Sequence, residues 1–166
     1  MTDPELLAYC RERLRYVDGM LLWVKPPVGW IHVGDRAGCL GVRYRTLKVK
    51  KHYYGEHRVI WLMHHGRMPL EIDHVDGDPV NNRIENLREC TRSQNNQNRK
   101  QNSRPTTSRY KGVFYNTQKK KWQATIHLVK RKHLGFFDSE DDAAAAYDRA
   151  ALDIFGEFAL INGVKK

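Results

Sequence analysis

The chain has 166 residues, enough for one ordinary domain or two small ones with modest cores, and carries a formal net charge of +10 with a pI near 9.6. A polyanion is therefore the first partner to consider, because Lys and Arg gathered on one surface attract phosphates and release counterions. No apolar run approaches the ~18 residues of a membrane span, and Met1-Thr2-Asp3-Pro4-Glu5 lacks the basic and apolar regions of a secretory signal. Cys10, Cys39 and Cys90 are far apart and odd in number, which indicates neither a disulfide framework nor a paired-cysteine zinc site. The expectation is a cytosolic protein with reduced thiols, no membrane and no obligate protein partner.

In chain order, Leu21-Leu22-Trp23-Val24 ends at Pro26-Pro27, and residues 44–54 mix Val, Thr, Leu and Tyr with lysines. Both read as strands, expected to share a small antiparallel sheet. His57 to His65, closed by Gly66 and followed by Pro69, reads as a short helix that buries Ile60, Trp61 and Met63. Next come a strand at Glu71-Ile72-Asp73-His74-Val75, a loop rich in Asp, Gly and Asn, and a second short strand around Leu87. Thr91 with Gln94 matches a capping box, so a helix bearing Asn95 begins there.

Charge then changes character. From Cys90 to Phe137 there is no acidic residue, and the polar stretch from Gln97 to Ser108, interrupted by Pro105, reads as a linker. Beyond it, strands are expected at Tyr110 to Tyr115, Lys121 to Leu128 and Lys132 to Phe137. In the middle one Trp122, Ala124, Ile126 and Leu128 face inward, and Lys121, Gln123, Thr125 and His127 face out. Ser139 caps a helix in which Ala143, Tyr147, Ala150, Ala151 and Ile154 recur at helical spacing until Gly156. The fold class is α+β, with a first domain at 1–98, a basic linker at 99–107 and a three-stranded antiparallel sheet packed on one helix at 108–163.

Asp73-His74 is the candidate for chemistry. Hydrolysing a phosphodiester needs an activated water and a cation to neutralise the phosphoryl and departing oxygens. Imidazole titrates near neutrality and suits a general base. A carboxylate is a hard oxygen ligand for Mg²⁺, which takes only one or two protein carboxylates and keeps several waters. Asn95 adds a neutral oxygen. Adjacent strand residues point to opposite faces, so the strand must end or twist at this pair, as the adjoining Asp76-Gly77-Asp78-Pro79 turn allows. Asn81 and Asn82 read as turn-shaping residues, Asp76 as a reserve ligand, and His57, His64 and His65 as helix-packing or surface groups rather than a second metal site.

The segment from His57 to Asn98, HRVIWLMHHG followed by IDHVDGDPVNNRIENLRECTRSQNNQN, resembles HNH endonucleases common in bacteriophage genomes, free-standing homing endonucleases among them. The resemblance implies a ββα-metal motif with Asp73 and Asn95 as metal ligands, His74 as general base and Asn86 steadying the loop and the histidine. It implies Mg²⁺, with Mn²⁺ able to replace it. LRYVDGMLLWVKP looks like the family's leading hairpin, and without cysteine pairs no structural zinc is expected. The segment from Ser108 to Asn162 resembles the APETALA-type, or ethylene-response-factor, domain through Tyr110-Lys111-Gly112-Val113, Lys121-Trp122-Gln123-Ala124, His133-Leu134-Gly135-Phe136-Phe137 and AAAAYDRAALDIFGEF. That resemblance implies a sheet lying in the major groove of double-stranded DNA, with Lys111, Lys121, Gln123, Thr125, His127, Arg131 and His133 facing it. Trp122, Phe136 and Tyr147 are expected in its core.

The combined expectation is a site-directed DNA endonuclease of the phage homing type, acting in the cytoplasm of a host bacterium with one divalent metal and a histidine base, and nicking one strand. A DNA-binding regulator with an inactive nuclease remnant is the alternative, and a nuclease for RNA or branched DNA a third.

Overall fold

The computed structural model describes residues 1–98, 107–128 and 130–163. The chain divides into two compact units, Met1–Arg92 and Ser93–Lys166, and it mixes helices with small antiparallel sheets.

The first unit opens with α1 (Asp3–Arg13), where the Glu5 carboxylate accepts the Thr2 N–H at 2.8 Å. β1 (Leu14–Val17) and β2 (Met20–Trp23) pair as a hairpin across Asp18-Gly19. These two residues have φ of +47° and +82°, the left-handed pair of a primed turn whose twist matches that of the strands. β3 (Cys39–Leu40), β4 (Arg45–Val49) and β5 (His52–Gly55) form a second sheet, and α2 (Glu56–His65) comes next, ending at the left-handed Gly66. β6 (Glu71–His74) pairs antiparallel with β7 (Leu87–Cys90), and a short 3₁₀ turn at Ile84–Asn86 precedes β7.

Leu21–Val24 and residues 44–54 therefore do not share a sheet, contrary to the sequence expectation. Each pairs locally: Lys50, at φ +54°, turns 44–54 back on itself as β4 and β5, while β2 returns along β1. Short loops close at less entropic cost than the long connection the expected pairing needs. α1 and β1, which the periodicity reading did not mark as a helix and a strand, complete the core. Leu6, Cys10, Leu14, Leu21, Leu47, Val49, Val59, Ile60 and Leu62 are all buried in one cluster with Ile72 and Leu87, which bracket the β6–β7 loop. Burying a Leu- or Ile-sized side chain is worth roughly 1.5–3 kcal/mol, so this cluster anchors the strand that bears Asp73 and His74.

In the second unit α3 (Arg92–Gln97), whose first residue falls at the boundary, is followed by β8 (Val113–Asn116), β9 (Lys121–His127) and β10 (Arg131–Phe137), in the order β10-β9-β8, all antiparallel. α4 (Glu140–Phe155) is capped by Ser139, whose hydroxyl accepts the Asp141 and Asp142 N–H groups. Ala143, Ala144, Tyr147 and Ala151 of α4 pack on Val113, Ala124 and Ile126. Small alanines let the helix approach the sheet closely, and at Gly112, with φ +76°, a Cβ would collide with the Tyr147 ring. The linker expected at 99–107 lies, Thr107 apart, outside the described residues. No described helix is long and apolar enough to cross a membrane.

Candidate active site and nucleic-acid face

β6 ends at His74, and the chain turns at once: Gly77, at φ +71°, donates its N–H to His74 O at 2.9 Å. Asn86 staples this loop. Its Oδ1 accepts the Asp76 N–H at 3.1 Å, its Nδ2 donates to Asp76 Oδ1 at 3.0 Å and to Asn81 O at 2.8 Å, and its own carbonyl accepts the Val75 N–H at 2.9 Å. Asp76, the reserve ligand of the sequence reading, uses Oδ1 for Asp78 N–H and Asn86 and Oδ2 for Asn81. Burial opposes its ionisation, but those hydrogen bonds, with His74 nearby, hold the carboxyl below the usual range.

Asp73 and His74 are both buried and engage different neighbours. Asp73 lies opposite Arg88 on β7, whose Nε and terminal nitrogen donate to Asp73 Oδ2 at 2.9 and 2.7 Å. The His74 ring meets Asn82 Oδ1 through Nε2 at 3.0 Å, and its centroid is 5.3 Å from that of His57 and 6.3 Å from that of Tyr44. His57 does pack, as its helical context suggested, but against the candidate base. Burial, then the charges of His74 and Arg58, push its imidazole down to about 4, so it stands beside His74 as a neutral ring. Gly55 makes room for it, since a Cβ there would lie 2.6 Å from His57 Cε1.

Glu56 was not singled out in the sequence, and Asn82, read there as turn-shaping, is instead a buried partner of His74. Asn82 is only 1% exposed, and its Nδ2 donates to Glu56 Oε2 at 2.9 Å. Glu56, equally buried at the start of α2, also accepts Leu21 N–H at 3.2 Å and Arg36 at 3.1 Å, with Arg45 Nε at 3.9 Å. An acid in a helix's first turn reads as dipole complement, and Asn-Asn after Asp-Gly-Asp-Pro reads as turn. Neither pattern signals burial.

Among the described residues no three His, Cys, Asp or Glu side chains gather as a ligand set. Cys90, near Asp73, is pushed up to about 11, chiefly by burial, so its thiol stays protonated. What the first unit offers an ion is the carboxylate of Asp73, which suits a hard cation that keeps most of its waters. Asn95 is half-buried on α3 in the second unit.

On the sheet of the second unit, His127, Arg131 and His133 are exposed, as is Lys121, which pairs with Asp138 at 3.0 Å. Asn116 Nδ2 donates to Gln123 Oε1 at 3.1 Å, and Gln123 Nε2 donates to His133 Nδ1 at 3.0 Å, so a polar ladder crosses β8, β9 and β10. The expected alternation fails at two positions: Thr125 is 9% exposed, and Leu128, past the end of β9, is 37% exposed. A register shift between His133 and Gly135 reverses parity on β10, so Phe136 pairs across from Gln123 while Phe137 joins the core beside Trp122. Phe136 is therefore not the core residue expected; it lies under Lys119 and beside His133. Lys111 is half-buried and donates Nζ to Gln97 O at 2.6 Å, and burial lowers its pKa.

A model of the HNH endonuclease family matches residues 54–97, the stretch that holds Glu56, His57, Asp73, His74, Asn82 and Asn86. The chain is 30% identical over 107 residues to "Protein 3.8" of Escherichia phage T7, spanning 62% of this chain and 86% of that protein. Residues 54–97 thus carry an HNH endonuclease family domain. An uncharacterized HNH endonuclease of Acanthamoeba polyphaga mimivirus is 32% identical over 111 residues, 65% of this chain and 57% of that one. An ethylene-responsive transcription factor-like protein of Arabidopsis thaliana is 44% identical over 61 residues, 36% of this chain but only 25% of its own length. No solved structure matches significantly.

Proposed function

We propose that this chain is a metal-dependent endonuclease that nicks double-stranded DNA at a chosen site, as a phage homing endonuclease does. The observation that carries the reading is His74, a buried imidazole at the end of β6, held by a side-chain hydrogen bond within the stretch matched by the HNH endonuclease family. HNH nucleases use a divalent metal, and in this proposal it is Mg²⁺, with Mn²⁺ able to replace it. Asp73 would hold it, with Asn95 assigned as second ligand by the family resemblance alone; the bound ion would neutralise charge on the phosphoryl oxygens. His74 takes a proton from water as that water's oxygen bonds to phosphorus and the bond to the leaving sugar oxygen breaks. Asn86 keeps the loop around His74 closed, and the rings of His57 and Tyr44 flank the base.

The second unit would choose the site. In this proposal residues 108–163 are an APETALA-type DNA-binding domain, joined through 99–107 to a nuclease domain at 1–98. Its three-stranded sheet presents Lys121, Gln123, His127, Arg131 and His133 to phosphates and base edges. Thr125 and Lys111, both withdrawn from solvent, contribute less in this reading than the exposed residues.

One observation favours a regulator with an inactive nuclease remnant: the Arg88 guanidinium occupies Asp73 Oδ2. Supercoiled plasmid incubated with the protein and Mg²⁺ separates the readings. Open circles that disappear with chelator and in His74→Ala are expected. An intact plasmid, or equal cutting by His74→Ala, overturns the nuclease reading.

A further inference from the structure

The side chains behind His74 obey a one-way donor order. Glu56 is buried, and every partner it meets is a donor: Leu21 N–H on Oε1, Arg36 and Asn82 Nδ2 on Oε2. A carboxylate facing such partners only accepts, so the Asn82 amide must turn its NH₂ toward Glu56. Its carbonyl oxygen is then left for His74, and an oxygen cannot donate. The proton of the neutral His74 ring must therefore sit on Nε2, and the ring's basic lone pair on Nδ1.

The backbone that carries Asn82 is itself fixed. Gly19 of the β1–β2 turn lies so close that a Cβ would stand 2.9 Å from Arg83 N and 3.1 Å from Asn82 C. Arg83 Nε pairs with Asp18 at 2.8 Å, and Ile84 N–H donates to the Tyr16 hydroxyl at 3.0 Å. The leading hairpin thus clamps the loop on one side of Asn82, and Glu56 at the start of α2 holds it on the other.

We infer that Glu56 and Asn82 are positioning residues that hold His74 in the Nε2–H tautomer and so aim Nδ1 at the proton to be removed. The inference rests on the nuclease reading for its consequence and on geometry alone for the tautomer. The arrangement does for this histidine what a buried carboxylate does for the base of a hydrolase triad, with an amide interposed.

The test reads the tautomer directly. Full-length protein labelled with ¹⁵N is studied by long-range proton–nitrogen correlation above the ordinary imidazole range, where pyrrole-type and pyridine-type nitrogens separate. Wild type is expected to show His74 with the proton on Nε2. Asn82→Ala and Glu56→Gln, each confirmed folded in the same spectra, are expected to give mixed tautomers and a maximal cleavage rate lower by on the order of 10–100-fold, with KM little changed. The double variant Glu56→Gln with Asn82→Asp restores the donor order, since the glutamine amide donates to a carboxylate that accepts from His74. It is expected to recover both the Nε2–H tautomer and most of the rate. Wild type with the proton on Nδ1, or variants that keep the Nε2–H tautomer unchanged, overturns the inference. A wild type that shows the tautomer and its loss in the variants, yet cuts no DNA, supports the clamp and overturns only the nuclease reading.

Discussion

The neighbourhood of His74 and the outer face of the β8–β10 sheet are both polar, but they are built in opposite ways. His74, Asn82 and Glu56 are buried and bonded into the core of the first unit, whereas His127, Arg131 and His133 are exposed on a sheet whose stability comes from its other face. A buried polar chain works only if every member is satisfied, since an orphaned buried group costs about 1–3 kcal/mol. An exposed ladder can lose a member with little harm. In the proposed reading, stability and chemistry are therefore coupled in the first unit and separable in the second.

The largest effect that sharpens this contrast should come from Glu56→Leu. Removing the acceptor leaves Asn82 Nδ2 and Leu21 N–H unanswered, and chemical denaturation should show a loss of about 3 kcal/mol, the low end for a broken buried pair because Arg36 still reaches water and Arg45 keeps its bond to Gly38 O. Unchanged stability would mean that the chain of buried polar groups is not a structural unit.

Acid should come next. His57 is held at about 4 when folded, against 6.5 for the free imidazole, so between these values the unfolded chain binds more protons. The contribution to stability is fully present above about pH 6.5 and is lost as pH falls through about 4, amounting to up to about 3 kcal/mol. His57→Phe should flatten that part of the pH–stability curve, and an unaltered slope would assign the acid sensitivity elsewhere.

Gly19→Ala places a side chain at φ +82° against the Asn82–Arg83 backbone, and thermal unfolding should report a cost of about 1–2 kcal/mol. The smallest stability effects belong to the sheet. Arg131→Ala and His127→Ala should change unfolding by no more than about 0.5 kcal/mol. Arg131→Ala should also reduce the slope of log affinity against log salt by about one if it meets a phosphate.

Legibility in the sequence fell along the same divide. The α2 helix, the β6-loop-β7-α3 order and the Ser139 cap are local, with periodicity, turn residues and caps inside a few positions of one another. Asp73 and His74 stood out because a turn, a short strand with Asn86 before it and a capped helix come directly after them. Glu56 and Asn82 did not, because their meaning lies in a contact between residues far apart in sequence, and an acid at a helix start or an Asn in a turn has an ordinary local explanation. Leu21–Val24 and residues 44–54 were read as strands but given the wrong partners, since alternation marks a strand without naming its neighbour. On β10 the shift at His133–Gly135 moved Phe136 out and Phe137 in, a one-residue change that period-two counting cannot register.

The division between a buried chemical site and an exposed reading face is tested most directly by measuring, on the same preparations, DNA affinity and the single-turnover cleavage rate at saturating protein for wild type, His74→Ala and the His127→Ala/Arg131→Ala pair. His74→Ala is expected to keep its affinity and lose its rate by on the order of a hundred-fold or more, and the sheet variant to lose affinity while cutting at the wild-type rate once saturated. A His74→Ala protein that cuts at the wild-type rate, or a sheet variant whose saturated rate collapses, would contradict it.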